Sequence, residues 1–163
     1  MAVSSVIGTK RDGEIRIKDS GAAHTFTVVL DIGDFSFEEP KDDRVVLRDR
    51  GAICGLRAGD QAVGTISFSA HFTEFTNSTA ETLYDWIYRR GTAAAYVGTG
   101  GAGYEQFLVD ITYVCDKTTL GDAVSATANF SKVLLFASFQ EGDSDAITIT
   151  GEVYGAYTYT GIS

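Results

Sequence analysis

The chain has 163 residues, a formal net charge of −9, 44% apolar and 21% charged residues, which suits one domain with a core of its own. No apolar run approaches the roughly 20 residues that cross a bilayer as a helix. After residue 92 eight acids face only Lys117 and Lys132, which argues against a nucleic-acid grip, because phosphate contacts need Lys and Arg.

Eighteen glycines, ten phenylalanines and eight tyrosines beside a single proline predict an all-β chain. The opening stretch MAVSSVIGTKRDG lacks an apolar core of signal-peptide length, so the expectation is a protein made and used without secretion. GEIRIKDSG then alternates Ile15 and Ile17 with Arg16 and Lys18, as a two-sided strand does. HTFTVVLDIGDFSFEE follows, with Phe26, Val28 and Leu30 on one face, a break at Gly33-Asp34, and the alternation resumed by Phe35 and Phe37.

The next stretch is unusual for an acidic protein. Nine of the thirteen residues from Glu38 to Arg50 are charged and nearly balanced. GAICGLRAGDQ, with three glycines in nine residues, is expected to be flexible or turning. AVGTISFSAHFTEF is the cleanest strand, with Ile66, Phe68, Ala70 and Phe72 opposed to Thr65, Ser67, Ser69, His71 and Thr73.

NSTAETLYDWIYRRG predicts the one helix, from about Thr79 to Arg90. Ser78 is its cap, Glu81 completes a capping box, Leu83, Trp86 and Ile87 form its apolar face, and Gly91 ends it. AAAYVG reads as a short strand and TGGAGYEQ as a glycine-rich loop. QFLVDITYVCD sets Phe107, Val109, Ile111 and Tyr113 against Leu108, Asp110, Thr112 and Val114. AVSATANFSKVLLFASF holds one long strand or two consecutive ones. AITITGEVYGAYTYTG places Ile147, Ile149, Val153, Tyr157 and Tyr159 on one side. Eight to ten strands and one helix predict a β-sandwich or barrel over 1–163, with the helix packed on its side.

Nothing in the pattern carries catalysis. His24 and His71 sit in strand patterns without metal-ligand spacing, and Cys54 and Cys115 are far apart, best read as free, buried thiols. GTGGAG lacks the spacing of a dinucleotide loop. EGDSD (Glu141 to Asp145) clusters oxygens that could attract calcium, yet a solvated turn is the better reading. The expectation is therefore no enzyme, no cofactor and no metal.

The order of features is more telling: a short strand GEIRIKD, a second strand, a long charged excursion, then DRGAICGLRAGDQAVGTISFSAHFTEF, the helix AETLYDWI, a glycine-rich insert, FLVDITY, and a strand pair ANFSKVLLFASFQEGDSDAITITGEVYG joined by an acidic turn. This series resembles the tail tube protein, or major tail protein, of long-tailed bacteriophages over nearly the whole chain. The resemblance implies a structural virion protein whose β-sandwich subunits close into hexameric rings. The rings stack into a hollow tube that delivers DNA without binding it. Its partners would be itself, a tail terminator and the tail tip, with assembly in the host cytoplasm and no membrane.

On that reading the segment at about 38–60 is an arm gripping another subunit. Its interface candidates are Glu38, Glu39, Asp42, Asp43, Arg44, Val45, Leu47, Arg48 and Arg50, whose charges would set register more than affinity. An acidic, hydroxyl-rich lumen would let DNA slide, with Asp110, Thr112, Thr150 and Glu152 as its candidate lining. Two alternatives stand beside it. One is another phage assembly protein, a tail terminator or head–tail connector. The other is a carbohydrate-binding β-sandwich using Tyr154, Tyr157 and Tyr159.

Overall fold

Ten strands and one α-helix carry the computed structural model, which describes residues 13–29, 34–41, 43–115, 125–142 and 145–161. Leu30, Gly33, Asp42 and Asp143 lie outside the described residues. The strands are β1 (Gly13–Lys18), β2 (Thr25–Val28), β3 (Ser36–Glu38), β4 (Arg44–Asp49), β5 (Ala52–Ala58), β6 (Gly64–His71), β7 (Val109–Cys115), β8 (Ala126–Ser138), β9 (Ala146–Val153) and β10 (Tyr157–Thr160). The helix α1 is Leu83–Tyr88.

Eight strands form one antiparallel sheet in the order β2-β1-β7-β8-β9-β6-β3, with β10 also on β8. The sheet rolls until its ends meet. The N–H of His71, at the end of β6, donates to the carbonyl of Val29, just past β2, at 3.0 Å. The curl is set in β8. Lys132 there adopts a left-handed φ of 55°, and the register with β7 shifts between Val109 and Ile111. Such a bulge bends a strand. One 13-residue strand thereby serves both halves, pairing β10 at Thr127–Phe130 and β9 at Val133–Ser138.

Alternation decides what the roll encloses. Ile15 and Ile17 of β1, Ile66 and Phe68 of β6, Ile111 of β7, Phe130 and Val133 of β8, and Ile147 and Ile149 of β9 are all buried. Phe35 stacks on Tyr113 at 4.5 Å and Phe37 meets Phe130 at 4.6 Å, so β3 seals the seam. Leu108, on the opposite face from Val109, is also buried, lying against the glycine-rich loop at Gly98 and Gly100. Tyr157, packed on Phe37 at 5.4 Å, is half-buried, and Tyr159 further along β10 is exposed.

The helix packs Leu83, Trp86 and Ile87 into this core as expected, but it is shorter than the sequence implies. The carboxamide oxygen of Asn77 accepts from the Thr79 N–H and hydroxyl and from the Ala80 N–H, at 2.8, 2.9 and 3.1 Å. That local turn competes with a helix start at Ser78. The cap is instead Thr82, whose hydroxyl accepts from the Asp85 N–H at 3.1 Å. Thr82→Ala should lower stability by about 1 kcal/mol in a urea titration. The helix ends at Arg89, which takes the left-handed conformation at φ 51°, rather than at Gly91. The stretch AAAYVG, read as a short strand, starts in a 3-10 turn, Gly91–Ala95, and is irregular from Tyr96 to Gly98.

Glu81, freed from the capping box, accepts from the Trp86 indole N–H at 3.3 Å and from the Tyr96 hydroxyl. The hydrogen bond to this carboxylate, then burial, push the Tyr96 phenol from 10.0 up to about 12. Between those two pH values the unfolded chain releases this proton while the native chain keeps it. The contribution is therefore complete below pH 10 and lost as pH rises through about 12. Ultraviolet titration should show Tyr96 among the late-ionising tyrosines, its step brought earlier by Glu81→Gln while those of Tyr113, Tyr154 and Tyr159 stay in place.

Candidate assembly surfaces

Most of the charged stretch is a strand rather than a loop. Among the described residues β4 and β5 pair only with each other, as a two-stranded ladder separate from the large sheet. The turn is Arg50-Gly51, both at positive φ (48° and 86°), as the tightest hairpin turns require. At the base, Asp43 and Gly59–Asp60 exchange backbone hydrogen bonds. The segment expected to be flexible or turning contains β5, which pairs with β4.

No residue of the hairpin is buried. Val45, Val46 and Leu47 are 40–47% exposed, and Ile53 and Leu56 are 63% and 65% exposed. Val46 lies opposite Leu56, and Val45 opposite Arg57, so apolar side chains stand on both faces. Cys54, expected to be buried, is exposed because β5 has no cover, while Cys115 is buried. A lone two-stranded hairpin is marginal in water, and one bare on both faces gains from a partner.

The interface candidates divide. Arg44, Val45, Leu47, Arg48 and Arg50 lie on the hairpin, and Asp43 closes its base. The Arg48 guanidinium donates to the Gly51 carbonyl at 3.2 Å. Glu39 is exposed in the lead-in. Glu38 belongs to β3, paired with Thr65 on the barrel, and Asp42 lies outside the described residues. Ile53, Leu56 and Arg57 of β5 were missed, because glycines flank them and no alternation marks them.

A second surface is the outer face of β3-β6-β9 and the last part of β8. Cross-strand neighbours there read Glu38, Thr65, Glu152 and Leu134 in one row, then Ser36, Ser67, Thr150 and Phe136 in the next. Ser69, Thr148 and Ser138 follow. The face is rich in hydroxyls, carries acids and has no Lys or Arg in these rows. The Asp34 carboxylate takes the Ser69 N–H and hydroxyl at 2.7 and 2.6 Å, tying the strand edge down. A shallow concavity of about 480 Å³ runs along Glu38, Ser67, Thr150 and Glu152.

Thr150 and Glu152 therefore stand together. Asp110 and Thr112 do not join them. The Asp110 carboxylate accepts the Lys132 N–H at 3.0 Å, filling the β8 bulge, and Thr112 is buried with its hydroxyl on Asn129 at 3.0 Å. Both have work inside the subunit.

Neither histidine builds a site. His24 stacks on Tyr96 at 4.1 Å, and His71 Nδ1 lies 3.4 Å from an Asp145 oxygen. Among the described residues no group of three His, Cys, Asp or Glu is placed to hold a metal.

No family model and no curated protein sequence matches the chain. Solved structures do. A chain of the PVC extracellular contractile injection system, in the cryo-EM structure of its sheath/tube terminator in the extended state, superposes with a TM-score of 0.59. The identity is 17%, over 98% of this chain and 100% of that one. The chain folds like subunits of contractile injection systems. A chain of the PVC sheath-tube complex in the extended state gives 0.60 at 15% identity, over 98% and 95%. One from the anti-feeding prophage cap, a tube terminating cap, gives 0.59 at 15%, over 99% and 95%. At these identities what is shared is the fold alone: mostly antiparallel β with one short helix.

Proposed function

We propose that this chain is a structural subunit of a tail-like injection assembly, a non-enzymatic protein that packs with other subunits at the end of a tube. The observation that carries it is the β4–β5 hairpin. The rolled sheet buries a core of its own, yet the chain holds out an arm with five exposed apolar side chains that no other described strand pairs with. Exposed apolar surface of this kind marks an interaction site. Two of the similar chains named above come from structures of a tube terminator or cap, which favours the tube end over the repeating tube body.

In this reading the hydroxyl-rich face with Thr150 and Glu152 lines the bore. A surface with acids and no bases repels a polyanion, so a cargo such as DNA would slide past. The particle is the place of action, and its other tail proteins are the partners.

The likeness to a sheath-tube complex favours a second reading, a repeating subunit whose hexameric rings stack along the tube. Negative-stain microscopy of the purified protein separates the two. Discrete annuli are the expected result for a tube-end subunit, and open-ended tubes would select the second reading. A protein that stays monomeric at high concentration would overturn both.

A further inference from the structure

We propose that the β4–β5 hairpin of one copy seats on an aromatic patch at the far end of the barrel of a second copy. This rests on the assembly reading above and supplies the missing half of its contact. Phe72 follows β6 and Phe139 follows β8, so both lie at the His71 end of the sheet. Phe75 bridges them, 4.8 Å from Phe72 and 5.4 Å from Phe139, and meets Tyr84 of α1 at 5.2 Å. Phe75 and Phe139 are 46% and 57% exposed. Linked aromatic rings open to water are the usual material of a hot spot.

Charge says what covers them. The patch is rimmed by the exposed carboxylates of Glu74, Glu141 and Asp145, with Arg90 at its far side, over the Tyr88 ring at 5.8 Å. From Arg44 to Ala58 the hairpin carries Arg44, Arg48, Arg50 and Arg57 against Asp49, with Asp43 and Asp60 at its base. It is therefore an apolar arm with a basic excess, facing an aromatic seat with an acidic rim. A second copy of this chain offers both.

Position makes the contact intermolecular. The hairpin leaves the barrel beside Gly64 and the patch lies beyond His71, at opposite ends of β6. That strand of eight residues spans roughly 23 Å at 3.3 Å per residue. Joining one end of a molecule to the opposite end of the next is a heterologous contact. It closes into a ring if the rotation permits and extends as a stack if it does not, so it fits either position in the tube.

The test is a charge exchange read by sedimentation velocity, with circular dichroism as the folding control. Arg44→Glu with Arg57→Glu alters the arm; Glu74→Arg with Glu141→Arg alters the seat. Each double variant alone should self-associate roughly 100-fold more weakly, because like charges then meet at the contact. Mixing the two should restore assembly, since each altered arm finds an altered seat and each native arm a native seat. If the wild type assembles and either variant assembles equally well, or the mixture fails to recover, the seat is elsewhere and only this inference falls. If the wild type itself never associates, the contact and the assembly reading fall together.

Discussion

Trp86→Ala is expected to lower the free energy of unfolding by about 3–5 kcal/mol. The indole is fully buried, 6.2 Å from Phe26 and 4.9 Å from Tyr96 between ring centroids. Its loss leaves a cavity where α1 meets the sheet, and strips Glu81 of the indole N–H held at 3.3 Å. Neighbouring backbone cannot collapse into the space, because Ile15, Ile17 and Phe68 are fixed by strand pairing on the other side of the core. Trp86→Phe should keep most of the packing and cost about half as much. Urea titrations would show the change in midpoint with little change in slope. A loss well under 1 kcal/mol for the alanine variant would mean the helix contributes no core.

The double variant Val46→Asp with Leu56→Asp should abolish assembly while leaving the monomer folded. The two side chains face each other across the hairpin and are 40% and 65% exposed in the isolated subunit. Neither position belongs to the buried core, so the barrel keeps its fold, although facing carboxylates loosen the hairpin itself. In a contact each would lose about 1.5–3 kcal/mol of apolar burial and would bring an unpaired charge to a dry surface. Repeated at every contact, a loss on the order of 100-fold per step removes the particle. Light scattering beside circular dichroism would read both quantities. Normal particles from this variant would make the hairpin a passenger.

Strand and core were legible wherever one face is buried and the other wet. Ile66, Phe68 and Ala70 announce β6 by period alone, and Leu83, Trp86 and Ile87 announce the helix face. The helix start was not legible, because Asn77, Thr79 and Glu81 form bonds that depend on a turn and on distant Tyr96. The hairpin was hidden for a different reason. Its apolar residues stand on both faces, so no alternation distinguishes a strand from a charged loop; only the Arg50-Gly51 turn between two apolar runs gave a signal. The lumen candidates show the limit of reading strands singly. Asp110 and Glu152 look alike in sequence, but the bulge at Lys132 takes one for the fold and leaves the other on the base-free face. The aromatic patch is contributed by three separate segments, around Phe72–Phe75, Tyr84 and Phe139, and nothing local foretells that they converge.

One measurement tests the central claim most directly, a side-chain-resolution reconstruction of the particles the purified protein forms. The account predicts Thr150 and Glu152 facing a central bore, with each hairpin covered by a neighbouring subunit. Those side chains on the outer wall, or hairpins standing free in solvent, would contradict it.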